Sequence, residues 1–155
     1  MVINYLDNVH RIGKVLDFGC GLGVMLPYLN QRACSVLAVD LEISMVERIG
    51  KSENWLNVVY ANDLNDLIQI HRGTLDFILA MDVLEHIDNL EDILSLFMIL
   101  IKDSGKIIVS GPTENVLYRI GRNIAGYSGH YHKRNIYDIL KSMQSIYVTN
   151  NIVTL

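Results

Sequence analysis

Residues Val15–Gly23 read V-L-D-F-G-C-G-L-G. An apolar, β-branched run ends there in three alternating glycines, Gly19, Gly21 and Gly23. The spacing predicts a strand over Lys14–Phe18, a tight loop, then a helix over Val24–Gln31. Glycine tolerates positive φ and lacks Cβ, so a ligand can approach the backbone closely. The first turn of the following helix points unpaired N–H groups at the same place. In a doubly wound sheet, that place is where ligands bind. A dinucleotide site prefers G-x-G-x-x-G, but position 24 is Val24. Asp17 sits two residues before the first glycine, and a carboxylate there can hold a cationic group by charge-assisted hydrogen bonds.

Outward from this loop, two periods alternate. Strands are expected at Ser35–Val39, Asn57–Ala61, Leu75–Ala80 and Lys106–Ser110. Between them, helices are expected at Ile43–Ile49, Asn65–Ile70 and Leu90–Ile101. Strand–helix alternation implies parallel strands joined by crossover helices. Strands apolar on both faces fit a sheet covered on both sides. The fold class is therefore α/β, a doubly wound, mostly parallel sheet. Beyond it, Pro112–Gly129 is weakly periodic, and Asn135–Met143 reads as a helix. Ser145–Val153 reads as a final strand or hairpin, with Asn150–Asn151 as its turn.

Composition narrows the partners. At 155 residues and 50% hydrophobic, residues 1–155 are expected to form a single domain. A chain of this size buries roughly 70% of its unfolded surface and needs no metal or disulfide staple. The longest apolar run, Ile93–Ile101, is interrupted by Ser95 and is far short of the roughly 20 residues that span a bilayer. No signal-peptide pattern is seen. A net charge of −4 without a dense basic stripe disfavours nucleic acid. Cys20 and Cys34 form no C-x-x-C pair and read as reduced thiols of a cytoplasmic protein. No His/Asp cluster has metal-ligand spacing.

Four further stretches follow the glycine loop in order: Val36–Asp40 (V-L-A-V-D), Tyr60–Leu64 (Y-A-N-D-L), Leu75–His86 (L-D-F-I-L-A-M-D-V-L-E-H) and Ser104–Ser110 (S-G-K-I-I-V-S). Together with V-L-D-F-G-C-G-L-G, they resemble the ordered motifs of the class I S-adenosylmethionine-dependent methyltransferases, in particular the small-molecule branch with its V-L-E-H. The resemblance covers roughly residues 13 to 111.

It implies a Rossmann-like methyltransferase fold, S-adenosyl-L-methionine as cofactor and a small-molecule acceptor. By the resemblance, Gly19, Cys20, Gly21 and Gly23 line the methionine part of the cofactor, and Asp17 fixes its ammonium. Asp40 accepts from the ribose hydroxyls beside Leu41, Asp63 and Leu64 hold the adenine, and Met81 lies at the mouth of strand four. Taken singly, Asp40 also fits a helix N-cap and Asp63 a turn aspartate. Asp82 and Glu85 are expected to be surface or cap carboxylates, and Asp76 a solvated turn residue.

Transfer to a hydroxyl, phenol or amine invites a general base, and histidine is the obvious type. His86 follows strand four at the right end, though it also fits a structural role. His130 and His132 stand in S-G-H-Y-H-K-R, flanked by Gly126 and Gly129 as a candidate lid. His10 and His71 are expected at the surface, outside the mouth.

The sequence departs from the resembled family in two places. Only Met1–Gly13 precedes strand one, where the family has covering helices. The end at Leu155 leaves room for one strand or a short hairpin where the family has two strands. A minimal or truncated domain is expected, with an exposed sheet edge through which a homodimer could form. Glu42 stands where the family often has Ser, and Pro27 falls in the first turn of its helix. Two other readings compete: a non-catalytic cofactor- or partner-binding module on the same fold, and a nicotinamide (NAD)-dependent oxidoreductase, which the glycine spacing argues against.

Overall fold

The computed structural model describes residues 2–111, 135–146 and 152–154. Its strands are β1 (Ile12–Phe18), β2 (Ala33–Val39), β3 (Val58–Ala61), β4 (Leu75–Met81), β5 (Ile101–Ser110) and β6 (Ile152–Thr154). They form one sheet in the order β3-β2-β1-β4-β5-β6, and every pairing is parallel. The order reverses beside β1, so the chain ends of β1 and β4 flank a crevice, the ligand position of doubly wound sheets.

Helices cover both faces. They are α1 (Val2–Asp7), α2 (Leu26–Arg32), α3 (Ile43–Ser52), α4 (Asn65–His71), α5 (Leu90–Leu100) and α6 (Ile136–Ile146), with a 3₁₀ turn at Leu84–His86. The period-2 rule sorts the strand residues between two cores. Leu16, Leu37, Ile78 and Ile107 face α4, α5 and α6. Val15, Val36, Leu79 and Ile108 face α1, α2 and α3. On α5, Leu90, Leu94, Phe97 and Leu100 make the buried stripe, at the spacing that keeps residues on one helical face.

Two expectations about the ends change. A two-turn helix, α1, occupies the stretch before strand one, and its Val2 and Leu6 are buried in the core. Ser145 and Ile146 close helix α6 rather than open a strand, and only Ile152–Thr154 joins the sheet. The helical period of Ile136, Ile139 and Met143 outweighs the β-branched character that follows. β6 runs parallel to Ile107–Val109 of β5, so that stretch of the edge is paired. Asn150–Asn151 and Pro112–Gly129 lie outside the described residues.

Candidate functional site

Two clefts open at the carboxyl ends of the strands, and Gly19 belongs to both. The loop starts where Gly19 and Cys20 both donate their N–H to the Val39 carbonyl, at 2.8 and 3.1 Å. All three of its glycines have positive φ. At Gly19 (φ +72°) a Cβ would overlap the Val83 side chain, so the turn after β4 packs directly on the loop. At Gly21 (φ +53°) a Cβ would meet nothing within 4 Å, which leaves room for a ligand against bare backbone.

The first cleft, of about 590 Å³, lies between the loop, α1 and the ends of β4 and β5. Val2, Ile3, Leu22, Val24, Met25 and Met81 give it apolar walls. Asp17 and Asp82 supply carboxylates, and Ser110 a hydroxyl. Asp17 is only 3% exposed. Burial, and then the charge of Asp40, push its pKa up to about 7. Neither ion pair found among the described residues involves Asp17. Cys20 lines the same cleft, and burial, followed by Asp17 and Asp40, pushes its thiol up to about 12.

The second cleft, of about 420 Å³, runs between Asp40, Leu41, Asp63, Leu64 and the 3₁₀ turn that carries His86. Asp40 is oriented by two backbone donors: Gly21 N–H to Oδ2 at 2.8 Å and Glu42 N–H to Oδ1 at 3.1 Å. Each oxygen keeps lone-pair capacity for a second donor, so the carboxylate can accept from two adjacent hydroxyls. Asp63 Oδ1 accepts from the backbone and side-chain amides of Asn65, both at 2.9 Å, which ties it to the start of α4. Leu64 is buried under it, while Leu41 is exposed at the rim.

The fold thus brings Asp17, Gly19, Cys20, Gly21 and Met81 around one cleft, and Gly19, Asp40, Leu41, Asp63 and Leu64 around the other. Gly23 lies behind the loop instead, where a Cβ would overlap Val46 of α3. His86 faces the second cleft, not the one lined by Asp17. His130 and His132 lie outside the described residues.

Three expectations are corrected. Asp76 is not a solvated turn residue: its Oδ1 takes the Lys102 ammonium at 2.6 Å and its Oδ2 the Lys14 N–H at 2.8 Å. Glu85 is not at the surface but 1% exposed, within the 3₁₀ turn. His71 is half-buried, and burial, then Lys14, lower its pKa. Asp82 is exposed, as expected, and lines the first cleft with its backbone at φ +52°. Sequence reasoning had one signal for it, the position directly after strand four. Among the described residues, no group of three His, Cys, Asp or Glu side chains could hold a metal ion, and no helix is long and apolar enough to cross a membrane.

Comparison with known proteins agrees with this geometry. Residues 4–146 match a family model described as a methyltransferase domain. A ubiquinone biosynthesis O-methyltransferase of Acinetobacter baylyi is 26% identical over 121 residues, 73% of this chain and 50% of that protein. The mitochondrial protein of the same name from Schizosaccharomyces pombe is 30% identical over 112 residues, 69% of this chain and 40% of that one. The chain therefore spans half or less of the length of these two relatives. A solved SAM-dependent methyltransferase from Archaeoglobus fulgidus superposes with TM-score 0.65 at 25% identity, covering 92% of this chain and 65% of that one.

Proposed function

The chain belongs to the class I S-adenosylmethionine-dependent methyltransferase family, and on that premise we propose that it binds S-adenosylmethionine across the two clefts and directs methyl transfer to a hydroxyl of a small, largely apolar molecule. The observation that carries this reading is Asp17: a buried carboxylate facing a ligand-sized cleft, with no ion-pair partner among the described residues. Such a group calls for a cation from outside the chain. The cofactor's ammonium supplies that charge, and its sulfonium supplies an electrophilic methyl group.

The chain's own residues divide the remaining work. Asp17 holds the ammonium, and the open backbone at Gly21 lets the methionine moiety lie close. Asp40 takes the ribose hydroxyls with an orientation already set by Gly21 and Glu42. Asp63 and Leu64 bound the adenine. The apolar walls of the first cleft exclude water and position the acceptor, which is most of what an in-line displacement asks of a protein. The hydroxyl class is supported by the names of the relatives, both O-methyltransferases. Cys20 and Cys34, neither in a disulfide, suit a reducing compartment such as the cytoplasm. A homodimer is part of this reading as well, its interface left to the oligomeric state in solution.

Calorimetric titration with S-adenosylhomocysteine tests this reading. Micromolar binding is expected, weakened roughly 100-fold in Asp40→Ala, which loses two charge-assisted hydrogen bonds to the ribose. A well-folded chain that binds no S-adenosylhomocysteine overturns it.

A further inference from the structure

The geometry points to a separate binding site, at the amino ends of the strands, for a small hydroxylated phosphate monoester. A cleft of about 490 Å³ opens there, sharing no lining residue with the two clefts at the carboxyl ends. That volume falls within the roughly 300–1,000 Å³ of ordinary small-ligand pockets. Three cationic side chains line it: Arg11 just before β1, Lys14 in β1 and Lys102 in β5. Asp76 is its one acidic lining residue. The lining therefore carries a surplus of two positive charges, in a chain whose net charge is −4.

Asp76 fixes part of this frame. A Cβ at Gly13 would overlap its carboxylate, so the group lies directly on the backbone of β1. From there it takes the Lys102 ammonium and the Lys14 N–H, which holds Lys102 in place. Arg11 and Lys14 are not neutralised in this way, for neither ion pair among the described residues involves them. The Arg11 guanidinium donates to Cys34 Sγ at 3.6 Å, which keeps it at the cleft and leaves its other N–H donors open to a ligand. Lys14 is half-buried, and its charge is felt by both Asp76 and His71.

Like charges gathered in a concave site repel one another and focus a positive potential. An anion relieves that repulsion. A phosphate monoester carries about two negative charges at neutral pH, and its oxygens match the planar guanidinium fork. A bare phosphate would leave much of the cleft to water. Thr74 supplies a partner for more. Its hydroxyl proton goes to the His71 carbonyl at 2.9 Å, and the oxygen keeps lone-pair capacity for a ligand hydroxyl.

Cys34 is exposed and lines the cleft, so it reports occupancy, while Cys20 is buried at the other end of the sheet and serves as control. The test follows alkylation of each cysteine by uncharged iodoacetamide, using mass spectrometry of the digested protein. Ribose 5-phosphate is the probe, beside ribose, inorganic phosphate and malate. In low salt, ribose 5-phosphate is expected to protect Cys34 with a midpoint of about 1 mM or below, the affinity that a few charge-assisted hydrogen bonds provide. Arg11→Gln and Lys14→Gln are each expected to raise that midpoint roughly tenfold or more, with Cys20 unaffected. Arg11 is exposed and makes no contact on which folding depends, so its variant stands even if Lys14→Gln exposes Cys20. No protection of Cys34 by ribose 5-phosphate, or protection that survives Arg11→Gln, overturns the site. Equal protection by ribose, inorganic phosphate or malate overturns the ligand class. The site shares no residue with the cofactor clefts, so binding of S-adenosylhomocysteine is a separate result and decides only the methyltransferase reading.

Discussion

Asp17 and Asp76 stand on adjacent central strands, at opposite ends of the sheet, and the fold treats them in opposite ways. At the amino end, Asp76 receives the Lys102 ammonium and the Lys14 N–H. Burial alone would raise its pKa, but the Lys102 hydrogen bond, the Lys14 N–H and the charges of both lysines outweigh it, and the pKa falls. At the carboxyl end, Asp17 is more deeply buried, its nearest charged influence is another carboxylate, and its pKa rises to about 7. One carboxylate is completed by the chain. The other is left incomplete, and an incomplete buried charge costs stability unless a ligand supplies its partner. That asymmetry separates an aspartate with an internal partner from one proposed to await a ligand, without reference to any motif.

The largest way to break the comparison is through stability. A raised folded-state pKa means that ionisation opposes folding. The contribution of Asp17 is most favourable below the unfolded value near 4 and is lost as pH rises towards 7. Asp17→Asn removes that loss. In ligand-free protein, the stability advantage of Asp17→Asn over wild type is expected to grow by up to about 4 kcal/mol between pH 4 and pH 8, read from urea denaturation across pH. No growth with pH would mean that the site already satisfies the charge.

The same variant sharpens the comparison in the other direction. Asp17→Asn is expected to weaken S-adenosylhomocysteine binding by roughly 10–150-fold at pH 8. Wild-type affinity is expected to rise with pH through about 7, because binding the ammonium requires the ionised carboxylate, whereas the variant's should be flat over that range. Calorimetry at pH 6, 7 and 8 checks both statements.

The smallest effect belongs to the completed carboxylate. Asp76→Ala should cost about 1–2 kcal/mol by stranding the Lys14 N–H and leave the affinity for S-adenosylhomocysteine unchanged. Its pKa is depressed, so its stabilisation is present above the unfolded value and lost as pH falls through the folded one, the reverse of Asp17. A change in ligand affinity in Asp76→Ala would dissolve the distinction between the two ends.

What could be read from the sequence divides along similar lines. The strands from β1 to β5 and the loop Gly19–Gly23 are local patterns; β1 to β4 appear within two residues of their expected spans, while β5 starts five residues early, at Ile101. Asp17, Asp40 and Asp63 are legible because their positions relative to strand ends are local too. The misses depend on distant partners. Asp76 is placed by Lys102 and by Lys14, 26 and 62 residues away. Asp82 is at the surface as expected, but its link to Ser110, 28 residues on, was not legible. Glu85 is buried by elements that follow it. At the chain's end, Ser145–Ile146 follows the helix before it, since continuing a helix costs less than starting a strand.

Cys20 has a bearing on the protein's durability. It places a sulfur nucleophile in the cleft proposed to present a reactive methyl group. Alkylation needs the thiolate. With the thiol pushed up to about 12, the anion is scarce at neutral pH. Burial and the two neighbouring carboxylates thus keep this sulfur in its unreactive thiol form in the ligand-free protein.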